Sequence, residues 1–414
     1  MTLVHGEQHT TVGGGRRWAT LPGCKEVLVV AQTAVYAQRL HDIYTLLGAD
    51  LRIHVTFTVA PHAFNGGAET HIRLLGGTVL PWEEAVRREF DLVLAAGSQG
   101  LEQLHGPLVR LPHGARHIKL SRTPGPGGER TASGLGPEYV VWKGRVVPES
   151  YALAHQDDLA ELARGCPEAL PVAEVVGDAC YDRIAAALPA RERHRAALGL
   201  RPDEKLVLVC STWGSGSLFT RLDAVLPRLA AELPRHGYRT ALLVHPNVAA
   251  AHSPWQVRSW AMATARGAVT VIPPEADWRP LLVAADFIIG DHGSVTLYGA
   301  MTGAPILLAQ YPHRDVNPRS PGALLARTAP ALDPTHPLTG QLAYAAAQYR
   351  PEEYTAIADG ITSEPGRFDR NMRRLLYRVV GLGQPAHEPE PPALPLPAPL
   401  DGPPAPVPLA SGRA

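Results

Sequence analysis

The sequence predicts an α/β protein built from two Rossmann-like domains with parallel sheets and a ligand cleft between them. The first observation is the alternation of buried aliphatic runs with amphipathic stretches between residues 25 and 312. That alternation is typical of parallel sheets covered by helices on both faces. The second is length: 414 residues exceed what one hydrophobic core usually organises, so two domains are expected.

The first half of the chain predicts a Rossmann-like domain over residues 25–175, which we expect to be the acceptor-side domain. Strands are expected at 26–35, 51–59, 78–82, 91–98 and from 107, with helices at 36–48, 66–77 and 82–90. Residues 1–24 are polar and rich in glycine, which predicts a flexible leader. Residues 123–138 form a Pro/Gly/Ser loop that is too long for a simple connection.

The second half repeats the pattern and predicts a nucleotide-donor domain over residues 176–380. Strands are expected at 205–213, 239–247, 268–274, 286–294 and 305–312, with helices at 221–234, 251–266, 277–285 and 295–303. The chain then looks helical to about residue 380, and these terminal helices are assigned to the second domain. Residues 384–414 are dominated by proline and alanine, which predicts a disordered tail.

Composition and missing motifs exclude several classes of function. The formal net charge is zero, so no global field attracts nucleic acid. No apolar run approaches the ~18 residues of a membrane-spanning helix. Neither domain carries GxGxxG after its first strand, and no GxxxxGK[ST] loop occurs, which argues against a dehydrogenase and a P-loop NTPase. The four cysteines lack metal-binding spacing, so reduced thiols and no metal site are expected.

Four short segments lie where strands of the two predicted sheets end. They are residues 112–114, 211–217, 245–247 and 290–294. Ligands of open α/β sheets bind at that edge, and the free N–H groups of a helix N-terminus attract anions. In the last segment, Gly293 and Ser294 are small enough to let a phosphate approach the backbone closely. We therefore expect a phosphorylated or nucleotide ligand.

Two histidines are the catalytic candidates. His113 lies in a tight turn with Gly114 and is the candidate general base, because an imidazole can take a proton from an attacking hydroxyl near neutral pH. His245, from the opposite domain, could donate a hydrogen bond to a diphosphate or protonate a leaving phosphate. A single histidine at a strand end is more often a loop or capping residue, but the shared placement of these segments favours catalysis.

The remaining candidates would bind substrate. Arg116 and Lys119 follow His113 and could clamp a phosphate, with a solvated basic loop as the alternative. Residues 211–217 offer small side chains and backbone N–H groups, with a flexible turn as the alternative. The expected binding residues are Gly114, Arg116, Lys119, Ser211, Thr212, Trp213, Asn247, Asp291, His292, Gly293 and Ser294.

In this order, the segments resemble the CDP-glycerol glycerophosphotransferase family of teichoic-acid-type polymerases and primases. LPHGARHIK at 111–119 stands where the family has Trp-His-Gly-Thr-Pro and then Lys, and GDACYD at 177–182 where it has Gly-x-Pro-Arg-x-Asp. Residues 211–214 correspond to Pro-Thr-Trp-Arg, and the His-Pro-Asn segment at 245–247 is intact. ADFIIGDHGSVTLYGAMTGAP at 285–305 matches ADxLITDYSSVxFD with the helix and Pro-led strand that follow.

The resemblance implies a GT-B fold and attack of an acceptor hydroxyl on the β-phosphorus of a CDP-alditol, with release of CMP. It implies that His113 is the base, that His245 contacts the diphosphate, and that Asp291 and Ser294 receive the nucleotide phosphates. It requires no cofactor, because the nucleotide-activated donor is a substrate, and no metal, because histidine, arginine and helix N-termini neutralise the phosphate charge. It also implies cell-envelope polymer or glycoconjugate synthesis in the cytoplasm, at the inner face of the membrane, with an acceptor that can be lipid-linked.

The sequence departs from that family at positions that leave the donor open. Gly214 stands in place of an arginine, Gly293 in place of the first of two serines, and Tyr298 in place of an acidic residue. A nucleotide-sugar glycosyltransferase, or an enzyme similar to UDP-N-acetylglucosamine 2-epimerase, would share the cleft and the phosphate site. A third alternative is a nucleotide-binding protein without catalytic activity that regulates or scaffolds cell-envelope assembly.

Overall fold

The strands fall into two parallel sheets and one small hairpin, in a computed structural model that describes residues 21–122, 124, 128–265 and 267–401. In chain order they are β1 Lys25–Ala31, β2 Ile53–Val59, β3 Val79–Leu80, β4 Leu92–Ala95, β5 Leu108–Arg110, β6 Val141–Trp142, β7 Arg145–Val146, β8 Ser150–Leu153, β9 Ala173–Val175, β10 Lys205–Ser211, β11 Tyr238–Val244, β12 Val269–Val271, β13 Phe287–Gly290 and β14 Ile306–Leu308.

Helices connect the parallel strands, as crossover connections require. In chain order they are α1 Ala34–Tyr44, α2 Ala68–Leu74, α3 Trp82–Ala85, α4 Pro137–Val140, α5 Asp157–Gly165, α6 Ala179–Ala187, α7 Arg191–Ala197, α8 Leu222–Glu232, α9 Pro246–His252, α10 Pro254–Ala265, α11 Arg279–Ala284, α12 Ser294–Tyr298, α13 Pro321–Thr328, α14 Leu338–Gln348, α15 Pro351–Asp359 and α16 Phe368–Val380. None of the helices in the described residues is both long and apolar enough to cross a bilayer.

The strand order gives each sheet a crevice at one edge. The first sheet runs β3-β2-β1-β4-β5-β8-β9 and the second runs β12-β11-β10-β13-β14, while β6 and β7 pair separately. The order therefore reverses between β1 and β4 and again between β10 and β13, and such reversals open a crevice at the carboxyl ends of the strands. The central strands are fully buried, with Val207, Leu208 and Val209 each 0% exposed. The predicted α/β fold with two Rossmann-like domains is confirmed.

The last helix packs on the first sheet. Phe368, Met372 and Leu376 of α16 are buried in the same core cluster as Val27 of β1 and Leu40 of α1. The assignment of all terminal helices to the second domain is therefore wrong for α16. The periodicity of α16 shows that one face is apolar, but it carries no information about which sheet that face covers.

The segment after α16 packs on the second domain as far as residue 401. Residues 384–401 form neither helix nor strand, yet Leu394 and Leu400 are buried in the core of the second sheet. The Leu400 backbone N–H donates to the carbonyl of Leu198, at 3.1 Å. The prediction of a disordered tail is therefore wrong for residues 384–401, because two leucines are enough to anchor this stretch. The rest of that tail, leader residues 1–20, and 123 and 125–127 of the long loop lie outside the described residues.

Candidate functional site

The two crevices meet where the turn after β5 touches the loop after β13. The Ala115 backbone N–H donates to Ser294 Oγ, at 3.1 Å. A Cβ on Gly114 would lie only 2.5 Å from the same oxygen, so any larger residue there would have to displace the Ser294 hydroxyl. Ser294, predicted to receive a phosphate, thus already accepts a hydrogen bond from the opposite domain. This contact brings the carboxyl ends of both sheets around one cleft.

His113 lies on the first-domain side of the cleft, packed against Tyr36 with 4.6 Å between ring centroids. The residue is exposed to solvent, although many protein atoms surround its ring. Desolvation by these atoms, followed by the charges of His117, Lys119 and Arg110, lowers the pKa of His113, and the exposure of the residue limits the effect. The Ala96 backbone carbonyl acts in the opposite direction and raises this pKa. A neutral imidazole has one nitrogen without a hydrogen, so the ring can accept a proton there.

His245 lies on the second-domain side and caps α9. Its Nδ1 accepts a hydrogen bond from the Asn247 backbone N–H, at 3.1 Å. The neutral ring therefore carries its hydrogen on Nε2, which can donate to an anion. Burial, together with the charges of Lys119 and His113, lowers the pKa of His245 to about 3. The His-Pro-Asn segment thus presents a hydrogen-bond donor rather than a cation at neutral pH.

Lys119 and Trp213 meet across the cleft. The Lys119 ammonium lies 5.4 Å from the centre of the Trp213 ring, and the Trp213 ring lies 6.2 Å from that of His245. Burial lowers the pKa of Lys119. Within the described part of the chain, no carboxylate lies within ion-pair distance of its ammonium. Asp291 and Asp315 act on it only beyond ion-pair distance, so an anion that enters the cleft would find a positive charge without a paired carboxylate.

Asp291 organises the loops rather than facing a ligand. Its carboxylate accepts backbone hydrogen bonds from Thr212 at 2.9 Å, Leu218 at 2.8 Å and Gly293 at 2.9 Å, and the residue is 1% exposed. Burial raises its pKa, and these three N–H groups act in the opposite direction. A Cβ on Gly293 would lie 3.0 Å from the Thr212 side chain, so the loop packs too tightly there for a larger residue.

His292 is the most enclosed imidazole at the site. It is 7% exposed, and its Nδ1 has no hydrogen-bond partner among the described residues. Burial, followed by the charge of Lys119, lowers its pKa to about 3. Like His113 and His245 it is neutral at pH 7. A bound anion would offset the charge of Lys119 and raise the pKa of all three rings, so anion binding is coupled to proton uptake.

Two predicted ligand residues have structural roles instead. Arg116 is buried and binds Asp158 at 3.0 Å and the Gly360 carbonyl at 2.9 Å, so it cannot clamp a phosphate without breaking an internal ion pair. Ser211 Oγ donates to the Thr212 carbonyl and accepts from the Phe219 N–H, at 2.9 and 2.7 Å. Both predictions are corrected for the same reason: the polar groups are already satisfied inside the protein.

The position where an acidic residue was expected belongs to an interdomain cluster. The Tyr298 hydroxyl donates to both Asp178 oxygens, at 3.0 and 2.9 Å. Asp178 is 0% exposed and pairs with Arg39 of the first domain, at 2.9 Å. Tyr298 therefore cannot hold the hydroxyls of a donor as a carboxylate would.

Sequence reasoning missed three residues at the site. Tyr36 in the first turn of α1 and His62 and Phe64 after β2 line the first-domain side of the cleft, and all three are partly exposed. A signal was present, because these residues follow β1 and β2 at the same sheet edge that singled out His113.

Comparison with known proteins supports the fold only. No protein-family model matches the chain, and no curated protein matches it in sequence. The chain is similar to the wall teichoic acid polymerase TagF, in a variant soaked with CDPG, with a TM-score of 0.60 and 14% identity over 86% of this chain and 88% of that chain. For S. aureus MnaA with UDP the TM-score is 0.53 at 14% identity, over 88% and 99%. For UDP-GlcNAc 2-epimerase from Neisseria meningitidis bound to UDP-GlcNAc it is 0.50 at 15% identity, over 86% and 99%. Together with the sheet order, these likenesses show that the chain has a GT-B-like fold of two Rossmann-like domains.

Proposed function

We propose that the protein is a transferase that moves a glycerophosphate or related group from a CDP-glycerol-like donor to an acceptor hydroxyl. The observation that carries the proposal is the pair of neutral imidazoles, His113 and His245, on opposite sides of a cleft that also holds Lys119. One imidazole has a nitrogen free to accept a proton, and the other has an N–H free to donate. Acid–base transfer at a diphosphate needs both groups.

In the proposed reaction, the acceptor oxygen bonds to the β-phosphorus of the donor while the bond from that phosphorus to the bridging oxygen breaks. The hydroxyl proton passes to the unprotonated nitrogen of His113, which is available at neutral pH because the lowered pKa keeps the ring neutral. The departing nucleoside monophosphate takes the electron pair. Nε2–H of His245 and the Lys119 ammonium would stabilise the charge that develops on it.

A nucleotide-sugar enzyme is the second candidate. It is favoured by Tyr298, whose engagement with Asp178 leaves no carboxylate where the glycerophosphotransferase family has one. The structural similarity to proteins bound to UDP or UDP-GlcNAc agrees with this candidate. Cell-envelope synthesis, a lipid-linked acceptor and contact with the membrane stay predictions of the sequence resemblance.

Nucleotide preference separates the two candidates. Thermal unfolding would be followed with CDP, UDP, GDP and ADP and with CDP-glycerol and UDP-N-acetylglucosamine. A nucleotide at a hundredfold excess over its Kd should add about 2.7 kcal/mol to the free energy of unfolding. We expect CDP and CDP-glycerol to stabilise the protein. A response to UDP alone would contradict the glycerophosphate proposal.

Substitution of the base separates an enzyme from a binding protein. We expect His113→Ala to lower the rate of transfer by about 10²- to 10⁴-fold while nucleotide affinity stays the same. His105→Ala is the control, because His105 is an exposed histidine of the same domain. Unchanged turnover in His113→Ala would show that the base is wrongly assigned. Nucleotide binding without turnover in the wild type would favour the catalytically silent alternative.

A further inference from the structure

Four aromatic rings form a continuous wall that runs from the first-domain side of the cleft to Trp213 of the second domain. The ring centroids lie 6.5 Å apart for Tyr36 and His62, 5.8 Å for His62 and Phe64, and 5.4 Å for Phe64 and Trp213. We call these four residues the aromatic wall. All four are half-buried, and the wall begins at Tyr36, the residue that contacts His113. It therefore runs from the candidate base to the tryptophan beside Lys119.

Three of the four rings lie in the crevice of the first sheet, and Trp213 joins them from the loop after β10 of the second sheet. Tyr36 follows β1, and the residues at 62 and 64 follow β2, beside the reversal between β1 and β4. The loops after β10 and β13 stand at the other reversal. A cleft with two such crevices has a place for each of two substrates, with His113 between them.

The wall carries almost no charge. Burial lowers the pKa of His62 and raises that of Tyr36, so both rings are neutral at pH 7. The nearby Arg110 is buried and donates to the backbone carbonyls of Gly97 at 3.0 Å and Gly134 at 3.2 Å. Among the described residues, the cation that reaches the wall is Lys119, at its Trp213 end. A chain with one phosphate per unit would find too few cations to bind there.

A buried amide oxygen without a hydrogen-bond partner in the described part of the chain lies beside the aromatic wall, while the amide nitrogen of the same side chain donates to the Gln99 carbonyl at 3.3 Å. Gln32 is 1% exposed, and its Oε1 has no hydrogen-bond partner among the described residues. A Cβ on Gly97 would lie 2.6 Å from this oxygen and 2.7 Å from the Tyr36 ring, so the oxygen lies close to the wall. A buried acceptor without a donor costs about 1–3 kcal/mol. A ligand hydroxyl that reached this oxygen would supply the missing donor.

We propose that the aromatic wall is the acceptor subsite and that the acceptor presents a carbohydrate ring, not a linear polyol phosphate, to His113. A sugar ring has a face of C–H bonds that packs on aromatic rings and an edge of hydroxyls that needs hydrogen-bond partners. The aromatic wall would pack against the C–H face, and the Gln32 oxygen would accept a hydrogen bond from a hydroxyl at the edge. The proposal rests on the proposed function in taking His113 as the group that accepts the hydroxyl proton.

Binding without turnover tests this proposal. Saturation-transfer NMR would be recorded on the full chain with methyl β-glucopyranoside, methyl N-acetyl-β-glucosaminide and glycerol 3-phosphate, with and without CDP or UDP. We expect the two glycosides to receive saturation, most strongly at their ring C–H protons. We expect Phe64→Ala to weaken glycoside binding about tenfold, which corresponds to 1.4 kcal/mol. Phe64→Tyr should retain it, and so should the control Trp255→Ala, which removes an exposed ring on α10.

Several results would contradict the assignment of the aromatic wall to a carbohydrate acceptor. No glycoside binding in the wild type, or equal binding of glycerol 3-phosphate at the wall, would overturn the carbohydrate assignment. Loss of CDP or UDP affinity in Phe64→Ala would overturn it in favour of a nucleobase site. A melting curve for Phe64→Ala that matches the wild type excludes unfolding as the cause. Glycoside binding without transfer from any nucleotide donor would leave this proposal standing while contradicting the proposed function.

Discussion

The imidazoles of the cleft are neutral because protein crowds them and, in the described part of the chain, no carboxylate forms an ion pair with them. His113, His245 and His292 each have a lowered pKa, with desolvation as the largest cause and Lys119 as a further cause. A neutral imidazole can act as a base or as a hydrogen-bond donor, whereas a protonated one can only donate. The protonation state of each histidine, and so its ability to accept a proton, therefore depends on the residues around its ring.

The depressed pKa of His292 predicts a loss of stability in mild acid. Its pKa is about 3 in the folded protein, and about 6.5 is expected in the unfolded chain. Between these values the unfolded chain binds a proton that the folded protein does not, so stability falls as pH falls below about 6.5. Each pH unit in that range should cost up to about 1.4 kcal/mol for this one group.

Urea unfolding between about pH 7.5 and 5.5 measures this effect. We expect His292→Gln to show a shallower decline than the wild type, since glutamine takes up no proton. His105→Gln, which changes an exposed histidine, should leave the slope unchanged. Parallel curves for wild type and His292→Gln would show that the ring is accessible to protons in the folded protein.

At the level of elements, the turn after β5 and the start of α12 are in close contact, with no space for an additional side chain between them. Gly114 can approach Ser294 because it has no Cβ. The Ala115 N–H then donates to the Ser294 hydroxyl. This is the contact that brings the loop of His113 to the loops of the second domain, so it sets the geometry of the candidate site.

A double-mutant cycle tests this contact. The Cβ of Gly114→Ala would lie 2.5 Å from Ser294 Oγ but 3.6 Å from Ser294 Cβ. We therefore expect Gly114→Ala alone to be clearly destabilising and Gly114→Ala in a Ser294→Ala background to be much milder. A coupling energy of about 0.5–3 kcal/mol is expected from unfolding free energies. Additive effects would mean that the two loops are not in contact in solution.

In the whole molecule, buried ion pairs join the two domains beneath the cleft. Asp178 binds Arg39 and Tyr298, and Asp42 of α1 binds Arg183 at 3.0 Å and Arg279 at 2.7 Å. Their side chains are almost entirely enclosed. The relative orientation of the domains therefore depends on charges that cannot be solvated if they lose their partners.

Removal of the Asp178 carboxylate should destabilise the protein more than removal of the Tyr298 hydroxyl that binds it. Asp178→Ala leaves Arg39 buried without its partner carboxylate, at an expected cost of about 3–5 kcal/mol. Tyr298→Phe removes only hydrogen bonds to the same carboxylate and should cost about 1.5–3 kcal/mol. Chemical denaturation measures both, and the reverse ranking would show that the ion pair contributes little to domain orientation.

The alternation of apolar runs was enough to predict two parallel-sheet domains, because each buried strand and amphipathic helix has its own periodicity. The same pattern located the strand ends that carry His113, His245 and Asp291. The carboxyl ends of parallel strands lie at the same edge of a sheet. Residues far apart in the sequence could therefore be predicted to lie near one cleft before any contact was known.

Tertiary structure decided which of those groups remain available. Arg116 forms an ion pair with Asp158, and Ser211 donates a hydrogen bond to the neighbouring backbone. Tyr298 donates a hydrogen bond to Asp178. It also decided that α16 returns to the first sheet and that the aromatic wall adjoins His113. The physical reason is the same in every case: periodicity reports whether a side chain is buried, whereas its partner depends on how distant segments pack.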